Sequence, residues 1–304
     1  MTYTTEQINH YISHISFSGR RFKPSITENP RSADGLSYLA TLQKCHLTTI
    51  PFENLSLHYS QDRIISLDRD ALFEKMVGSG SGRGGYCMEQ NLFFGTVLKS
   101  LGFEVISTGA RVMGSGDYNG WDHQVLLVCM DSGIYLVDVG FGSSGPTRPI
   151  RLSHGETVKW GATDAESRLI YQEPSNPVLQ GLWVMQHRNS TSDDWTARYC
   201  FGMTEFTPQD FEVMNYATST RRTCMFTYLV IGSKMIFDEV VGDIVGAITL
   251  SGSTIKRRIR EKSEVMVECV TEEERVAALE KHFGIVLSSK EQASIRGTVT
   301  ELKS

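Results

Sequence analysis

Apolar residues recur at helical spacing through the first third of the chain. One stripe at positions i, i+3, i+4 and i+7 consists of Ile8, Tyr11, Ile12 and Ile15. Thr4 and Gln7 have the spacing of a capping box at its start. Residues 35–43 and 67–77 predict two further helices, and Pro51 separates them because proline disfavours helical backbone in the residue before it.

A fourth helix is predicted from Cys87 to about Leu101. Residues 78–85, rich in glycine and serine, form a loop before it, and Gly102 is its C-terminal stop. The pattern then changes to apolar runs typical of strands, at 103–112, 125–128, 134–139, 182–186 and 196–201. Strands this close together indicate a small barrel or sandwich.

The last third mixes both kinds of element. Further strands are predicted at 225–231, 235–237, 247–250 and 264–270. A helix follows over 271–284, where Thr271 caps the start, acidic residues fill the first turn and Gly284 ends it.

The composition is that of an ordinary globular protein. Of 304 residues, 40% are hydrophobic and 21% charged, enough to form two or three domains. A net charge of -5 provides no basic field for nucleic acid or an anionic membrane. The segments 215–223 and 256–260 carry clustered arginines and are interpreted as solvated surface, with phosphate binding as the alternative. Without an apolar run of membrane-spanning length or a secretory signal, the chain is expected to be cytoplasmic.

One of the six cysteines has unusual neighbours. The pattern contains neither a Cys-x-x-Cys pair nor zinc-ligand spacing, so reduced thiols and no metal site are expected. Cys87 follows Arg83-Gly84-Gly85 and begins a predicted helix. A helix N-terminus favours thiolate, the nucleophilic form, whereas most free cysteines are buried packing residues.

A histidine and an aspartate in strand-like sequence accompany Cys87. Asp138 follows His123 by fifteen residues, and the turn signal near Ser132 places both on one hairpin, in direct opposition or in diagonal contact. Taken alone, a histidine or an aspartate in such sequence more often has a structural role. An aspartate inside a strand, however, needs a polar partner when its side chain is buried. A cysteine, a base and an orienting carboxylate together form an activated acyl-transfer nucleophile.

Polar residues near Cys87 have simpler interpretations. Glu89 and Asn91 lie in the first turn of its predicted helix and are interpreted as capping residues. Glu53 is a candidate to position Arg83, with ordinary loop packing as the equal alternative.

Four motifs together resemble the arylamine N-acetyltransferase family. They are residues 51–55 (Pro-Phe-Glu-Asn-Leu), the nonapeptide 83–91, His123 before an apolar strand, and residues 137–142 (Val-Asp-Val-Gly-Phe-Gly). The resemblance reaches 215–226 and 271–287, so it covers most of the chain. It implies an α+β fold with a helical bundle over 1–102, a β-barrel over 103–206 and an α/β lid over 207–304, built around a cysteine-protease-like Cys-His-Asp core.

The resemblance also implies the chemistry. Cys87, His123 and Asp138 would be a catalytic triad, which takes an acyl group from acyl-coenzyme A as a thioester. The group then passes to an arylamine, arylhydroxylamine or hydrazine, with no tightly bound cofactor. Phe52 and Phe141 are the candidates for contact with the aromatic substrate, with core packing as the equal alternative for Phe141. The residues implied for coenzyme A contact are Asn119, Gly120, Tyr216, Ser219, Thr220 and Thr223.

The sequence departs from the family pattern near the donor contacts. Arg222 stands where the family often has proline, and Cys224 or Met225 where it often has serine. Some fungal members prefer malonyl over acetyl groups, and Arg221 or Arg222 could face a malonyl carboxylate. The leading hypothesis is an arylamine N-acetyltransferase that uses acetyl-coenzyme A. A malonyl-coenzyme-A-dependent enzyme of the same family is the alternative.

Two hypotheses lie outside this family. A Cys-His-Asp hydrolase or transglutaminase-like enzyme has the same residue order, and a binding protein could keep the motif without activity. The expected partners are coenzyme A and small aromatic amines, with neither nucleic acid nor membrane. The chain is longer than typical bacterial members, which favours a eukaryotic, fungal source.

Overall fold

The computed structural model of the chain describes residues 2–16 and 29–303. Helices gather at the N-terminal side, an eight-stranded antiparallel sheet follows, and a five-stranded antiparallel sheet with further helices completes the fold. The helices are α1 (Thr5–Ile15), α2 (Ala33–Thr49), α3 (Arg69–Phe73), α4 (Cys87–Ser100), α5 (Pro208–Thr220), α6 (Met225–Tyr228), α7 (Glu272–Phe283) and α8 (Ser289–Ser294).

The larger sheet curves into a nearly closed barrel. Its strands are β2 (Glu104–Val112), β3 (His123–Met130), β4 (Gly133–Val137), β5 (Ile150–Arg151), β6 (Thr157–Lys159), β7 (Glu166–Gln172), β8 (Leu182–Arg188) and β9 (Thr196–Phe201). They lie in the order β5-β4-β3-β2-β9-β8-β7-β6. The edge strand β5 comes back against β7, so the two ends of the sheet almost meet.

The smaller sheet joins distant parts of the chain. Its strands are β1 (Phe52–Glu53), β10 (Ile231–Asp238), β11 (Asp243–Ser251), β12 (Thr254–Ile259) and β13 (Lys262–Glu268). They are neighbours in that order. Because β1 pairs with β10 and also bridges Gly85, this sheet is tied to the loop that precedes α4.

Helix α4 is the centre of the main core. Phe93, Phe94, Val97 and Leu98 on this helix are fully buried, and they share one apolar cluster with residues of α1, α2 and β3. Gly95 allows α4 to approach the barrel, since a Cβ there would lie 3.0 Å from a methyl carbon of Leu126 in β3. The helix that begins at Cys87 is therefore held from both sides.

The structure confirms the α+β class and most of the predicted elements. Helix α1 has its capping box at Thr4 and buries the predicted stripe. The third helix is shorter than predicted, because α3 ends at Phe73 and the next turn, Glu74–Gly78, is π-helical. The strand predicted at 225–231 is wrong: Met225–Tyr228 form the short helix α6, and the strand begins at Ile231.

Seven elements were missing from the sequence prediction: α5, α8, β1, β5, β6, β7 and β12. Strand β12 contains residues 256–259 of the basic run, and because charged side chains occur on both of its faces, no alternation of apolar and polar residues was visible. Strands β6 and β7 are bounded by polar residues and were absent from the prediction. No disulfide joins the six cysteines, all of which lie within the described residues. Within the described part of the chain, no helix is long and apolar enough to cross a membrane.

Replacing Leu98 by alanine should lower the free energy of unfolding by about 2–5 kcal/mol, because the substitution leaves a cavity in the main core. Urea denaturation of both proteins measures the difference. Leu179→Ala is the matched control, since that side chain is 62% exposed and its loss should change stability by less than about 0.5 kcal/mol. Equal effects of the two substitutions would contradict the packing described for α4.

Candidate active site

Cys87 is the first residue of α4, and its side chain is buried. Tyr86 is the N-cap, and its backbone N–H donates to Glu89 Oε2 at 3.0 Å, the reciprocal contact of a capping box. The capping interpretation of Glu89 is confirmed. The first backbone N–H groups of a helix have no partner within it, and that of Met88 donates to the sulfur.

The end of the β4 strand approaches the start of α4 very closely. A Cβ on Gly140 would lie 2.7 Å from the Cys87 Cα and carbonyl oxygen, and 2.7 Å from Asn91 Nδ2. Every residue other than glycine would push the two segments apart. Gly140 is therefore what permits the carboxylate two residues earlier to reach the helix that carries the thiol.

His123 and Asp138 form a buried hydrogen-bonded pair. His123 Nε2 and Asp138 Oδ2 are 2.8 Å apart. Leu126 pairs with Val137, so the position opposite Asp138 is Val125, two residues along the strand from His123. The contact is thus the diagonal one of the two that the hairpin allowed.

Asn91 holds the hairpin against α4. Its Nδ2 donates to the Gln124 carbonyl at 2.6 Å and to Asp138 Oδ1 at 2.9 Å. Its Oδ1 accepts from the Val139 backbone N–H at 3.0 Å. The interpretation of Asn91 as a capping residue is therefore wrong, because every polar atom of its side chain faces the two strands.

The carboxyl group of Asp138 stays ionised in spite of its burial. Burial alone raises the pKa of Asp138, but His123, Asn91 and the Gly140 backbone N–H together hold that pKa below its usual range. The Gly140 N–H donates to Asp138 Oδ1 at 2.8 Å. An ionised carboxylate can fix the orientation of the imidazole and stabilise its protonated form.

The thiol of Cys87 is not ionised by its position alone. Burial raises its pKa well above the usual value, and the negative charges of Asp122 and Asp138 act in the same direction. The Met88 backbone N–H lowers the pKa of Cys87, but by less than burial and the two carboxylates raise it. The backbone N–H at the helix N-terminus lowers the pKa of Cys87, as expected, but burial outweighs it, so the thiol depends on a nearby base to lose its proton.

The surroundings of the sulfur provide that base. Cys87 Sγ donates to the Asp122 carbonyl oxygen at 3.6 Å, and Asp122 immediately precedes His123. Cys87 and His123 line the same cavity. The edge of the His123 ring meets Phe141, with 5.0 Å between ring centroids, so the imidazole has an aromatic wall on one side.

A buried charge cluster supports the loop before the nucleophile. Arg83 Nε donates to Glu53 Oε1 at 2.9 Å, which confirms that Glu53 positions Arg83. Glu53 Oε1 also accepts from the Gly84 N–H at 3.2 Å, and Arg83 Nη1 donates to Glu291 Oε1 in α8 at 2.7 Å. Burial raises the pKa of Glu53, but Arg83 and Lys75 outweigh burial and bring that pKa to about 2.

The cavity above Cys87 has a volume of about 940 Å³, within the range of small-molecule sites. Aromatic walls come from Phe52, Phe141 and Phe226, and the strands β10 and β11 close the opposite side. Within residues 2–16 and 29–303, no group of three or more His, Cys, Asp or Glu side chains is arranged to hold a metal ion.

Two opposite charges lie at the cavity. The Asp122 carboxylate is engaged, since it accepts from the Val112 N–H at 2.9 Å and from Asn119 Nδ2 at 2.7 Å. Arg221 also lines the cavity, and its charge acts to lower the pKa of Asp122, but its guanidinium forms neither an ion pair nor a hydrogen bond with another described residue. Arg221 is thus a cation available to an anionic ligand.

The residues proposed for coenzyme A contact do not come together. Asn119 and Thr223 line the cavity of Cys87, and Gly120 lies next to Asn119 outside the lining. Tyr216, Ser219 and Thr220 line a separate cavity of about 810 Å³ between α4, α5 and residues 63–70. Phe52 and Phe141, proposed for the aromatic substrate, both line the cavity of Cys87.

Sequence reasoning missed the roles of Asn91, Gly140 and Phe226. For Asn91 a signal existed: it lies four residues after Cys87, so both side chains share one face of the helix. Gly140 gave no such signal, because its role depends on how closely two distant segments approach. Phe226 was assigned to a strand, whereas the helical turn of α6 directs it into the cavity.

The chain is similar to known acyltransferases in sequence and in structure. The family model described as N-acetyltransferase matches residues 35–292. An N-malonyltransferase of Fusarium pseudograminearum is 36% identical over 315 residues, which cover 95% of this chain and 91% of the relative. The arylamine N-acetyltransferase of Escherichia coli is 34% identical over 216 residues, 70% of this chain and 67% of the relative.

Solved structures share the complete fold. The arylamine N-acetyltransferase of Salmonella typhimurium superposes with a TM-score of 0.79 at 25% identity, over 96% of this chain and 98% of that one. That of Mycobacterium marinum in complex with CoA gives 0.76 at 26% identity, over 95% and 98%.

Replacing Asn91 by alanine should destabilise the protein by about 2–3 kcal/mol, because it leaves the Val139 N–H and the Gln124 carbonyl buried without partners. It should also slow iodoacetamide labelling of Cys87, since the carboxylate that orients His123 loses one of its donors. Thermal unfolding and labelling rates measure the two effects. The control Asn9→Ala removes an exposed side chain of α1 and should change neither. If Asn91→Ala matched the wild type in both assays, the side chain of Asn91 would not be what holds the hairpin against α4.

Proposed function

The chain belongs to the arylamine N-acetyltransferase family and is an acyltransferase, and on this basis we propose that it transfers an acyl group from coenzyme A to the nitrogen of aromatic amines through a thioester on Cys87. Arylhydroxylamines and hydrazines are acceptors of the same class. The observation that carries the proposal is the hydrogen-bonded pair of His123 and Asp138, 2.8 Å apart, at the cavity that Cys87 opens into.

The first half-reaction loads the enzyme. His123 removes the thiol proton as the sulfur attacks the acyl carbonyl, which is required because burial raises the pKa of Cys87. His123 Nε2 is engaged with Asp138, so Nδ1 is the nitrogen that takes the proton. The tetrahedral intermediate collapses, coenzyme A leaves as a thiol with that proton, and one thioester has been exchanged for another.

The oxyanion of the intermediate lies at the start of α4. Backbone N–H groups of Cys87 and its neighbour in the first helical turn have no intrahelical acceptor and are available to stabilise it. Gly140 keeps the opposite segment close without covering these donors with a side chain.

The second half-reaction releases the product. The amine attacks the thioester carbon, His123 Nδ1 takes a proton from the nitrogen, and the Cys87 sulfur leaves as the thiol. Phe52, Phe141 and Phe226 form a wall against which an aromatic ring can stack. This apolar side of the cavity supports an aryl acceptor.

Malonyl-coenzyme A is the donor that the cavity favours. A malonyl group carries a carboxylate, and Arg221 is an exposed cation at the cavity that forms no ion pair or hydrogen bond through its guanidinium with another described residue. The 36% identity over 95% of the chain to an N-malonyltransferase points the same way. Acetyl-coenzyme A, the donor of the leading hypothesis from sequence, needs no cation and is the competing outcome.

Incubation with acyl-coenzyme A should add one acyl mass to the wild-type protein and none to Cys87→Ala, as intact mass spectrometry measures. The variant should keep its fold, because the substitution is small. Cys129→Ala is the control: it removes a half-buried thiol in β3 outside the cavity and should still be acylated. An adduct on Cys87→Ala would place the nucleophile elsewhere, and acyl loss to water as fast as to an amine would indicate a hydrolase.

Rates with one arylamine and two donors separate the malonyl from the acetyl proposal. The wild type should show the higher kcat/KM with malonyl-coenzyme A, and Arg221→Ala should lower that value about tenfold while leaving the acetyl rate unchanged. Arg222→Ala is the matched control, since this exposed neighbour does not line the cavity. A preference of the wild type for acetyl-coenzyme A would overturn the donor assignment and leave an arylamine N-acetyltransferase.

A further inference from the structure

We infer that Lys256 and Arg258 form an anion subsite for the diphosphate of coenzyme A, at the outer end of a hydroxyl-lined track that leads to Cys87. The inference rests on the proposed function. It adds a binding site on β12, in the basic run that the sequence analysis interpreted as a solvated face.

One face of the smaller sheet connects the cavity of Cys87 to β12. Directly paired residues share a face, and the pairs run from Phe52 to Ser233, from Ser233 to Thr249 and from Thr249 to Lys256. Phe52, Ser233 and Thr249 all line the cavity of Cys87. Lys256 is therefore the next side chain in the same row, one strand beyond the cavity.

A second, smaller cavity lies at the end of this row. Its volume is about 210 Å³. Hydroxyl groups and two cations line it, from Ser143, Ser144, Thr249, Ser263, Lys256 and Arg258. Ser143 and Thr249 also line the cavity of Cys87, so the two spaces adjoin.

The two cations are not neutralised by carboxylates of the described chain. Lys256 forms no ion pair within residues 2–16 and 29–303, although Glu268 lies near it at a neighbouring depression. Arg258 donates to the neutral Asn189 Oδ1 at 2.7 Å and lies over the Trp160 ring. Arg258 is half-buried without a carboxylate partner among the described residues, and a cation in that position favours an anionic ligand.

A third cation adds to this field. Burial lowers the pKa of Arg198, and repulsion by Arg258 acts in the same direction. Arg198 Nε is buried and has no hydrogen-bond partner. Burial likewise lowers the pKa of Arg258. A bound diphosphate would relieve the repulsion between these guanidinium groups.

The length of the track fits the arm of the donor. Three strand spacings separate Phe52 from Lys256, about 14 Å. The pantetheine arm joins the thiol to the diphosphate through about a dozen bonds, as long as about four extended residues or ~14 Å. Its two amide groups would pass Ser233 and Thr249, whose hydroxyls can donate and accept hydrogen bonds.

The turn Gly142–Ser144 forms the other side of the track. Gly142 has a φ of 58°, a conformation that favours glycine, and a Cβ there would come within 3.8 Å of the Phe52 ring. This turn carries Ser143 and Ser144 over the sheet face. The arm is thereby enclosed between a turn and a sheet and need not lie on open surface.

The alternation of β12 supplies a matched control within the same strand. Lys256 and Arg258 point to the track, whereas Arg257 points to the opposite face and pairs with Glu264, Nε to Oε1 at 2.8 Å. Lys256 and Arg257 are both exposed, so neither substitution should affect folding.

The test compares acyl-coenzyme A with S-acyl-pantetheine, which lacks the nucleotide and the diphosphate. Lys256→Ala should raise the KM for acyl-coenzyme A about ten- to hundredfold and leave kcat unchanged. With S-acyl-pantetheine the variant and the wild type should have the same KM. Lys256→Glu should raise the KM for acyl-coenzyme A further, and Arg257→Ala should leave both donors unaffected.

Three results would overturn the subsite. They are an unchanged KM for acyl-coenzyme A in Lys256→Ala, an equal loss with both donors, and an equal loss in Arg257→Ala. Each is distinct from failure of the proposed function, which would appear as the absence of an acyl adduct on wild-type Cys87 with either donor.

Discussion

The site depends on the contact between the first turn of α4 and the hairpin of β3 and β4. A single amide, that of Asn91, bonds to both strands and to the buried carboxylate, and Gly140 allows the segments to approach within van der Waals distance. The thiol comes from a helix and the imidazole and carboxylate from a sheet. Without this junction their relative positions would be set only by loose packing, whereas acyl transfer requires placement within a fraction of an ångström.

The charges around this junction are arranged so that activation requires a base. Burial raises the pKa of the thiol, the donors of the neighbouring carboxylate lower the pKa of that group, and the imidazole that bonds to the carboxylate lines the same cavity as the thiol. A thiol with a raised pKa reacts more slowly with solution electrophiles and oxidants, because these react with thiolate. The histidine can deprotonate it when a substrate carbonyl is present to accept the developing charge, so reactivity is coupled to occupancy of the cavity.

Local patterns predicted much of the fold and the three central residues. The helix at Cys87 was visible because glycines precede an apolar periodic run, and the hairpin because a turn signal separates two apolar strands. The features of the site that could not be predicted are contacts between segments that lie far apart in the sequence. The packing of whole elements decides three features of the site. They are the diagonal contact of His123 and Asp138, the hydrogen bonds of Asn91 to both strands, and the separation of Tyr216 from the cavity. The basic run in β12 was not predicted as a strand, because charged residues on both faces of a strand leave no alternation of apolar and polar positions.

The bond between Arg83 and Glu291 has a consequence for biosynthesis. The two residues are separated by 208 positions, so the loop before the nucleophile leaves the ribosome long before its partner on α8 exists. Until then a buried guanidinium lacks one of its carboxylates, and the segment that leads to Cys87 is incompletely supported. The support of the loop before Cys87 is therefore completed only after α8 has been synthesised.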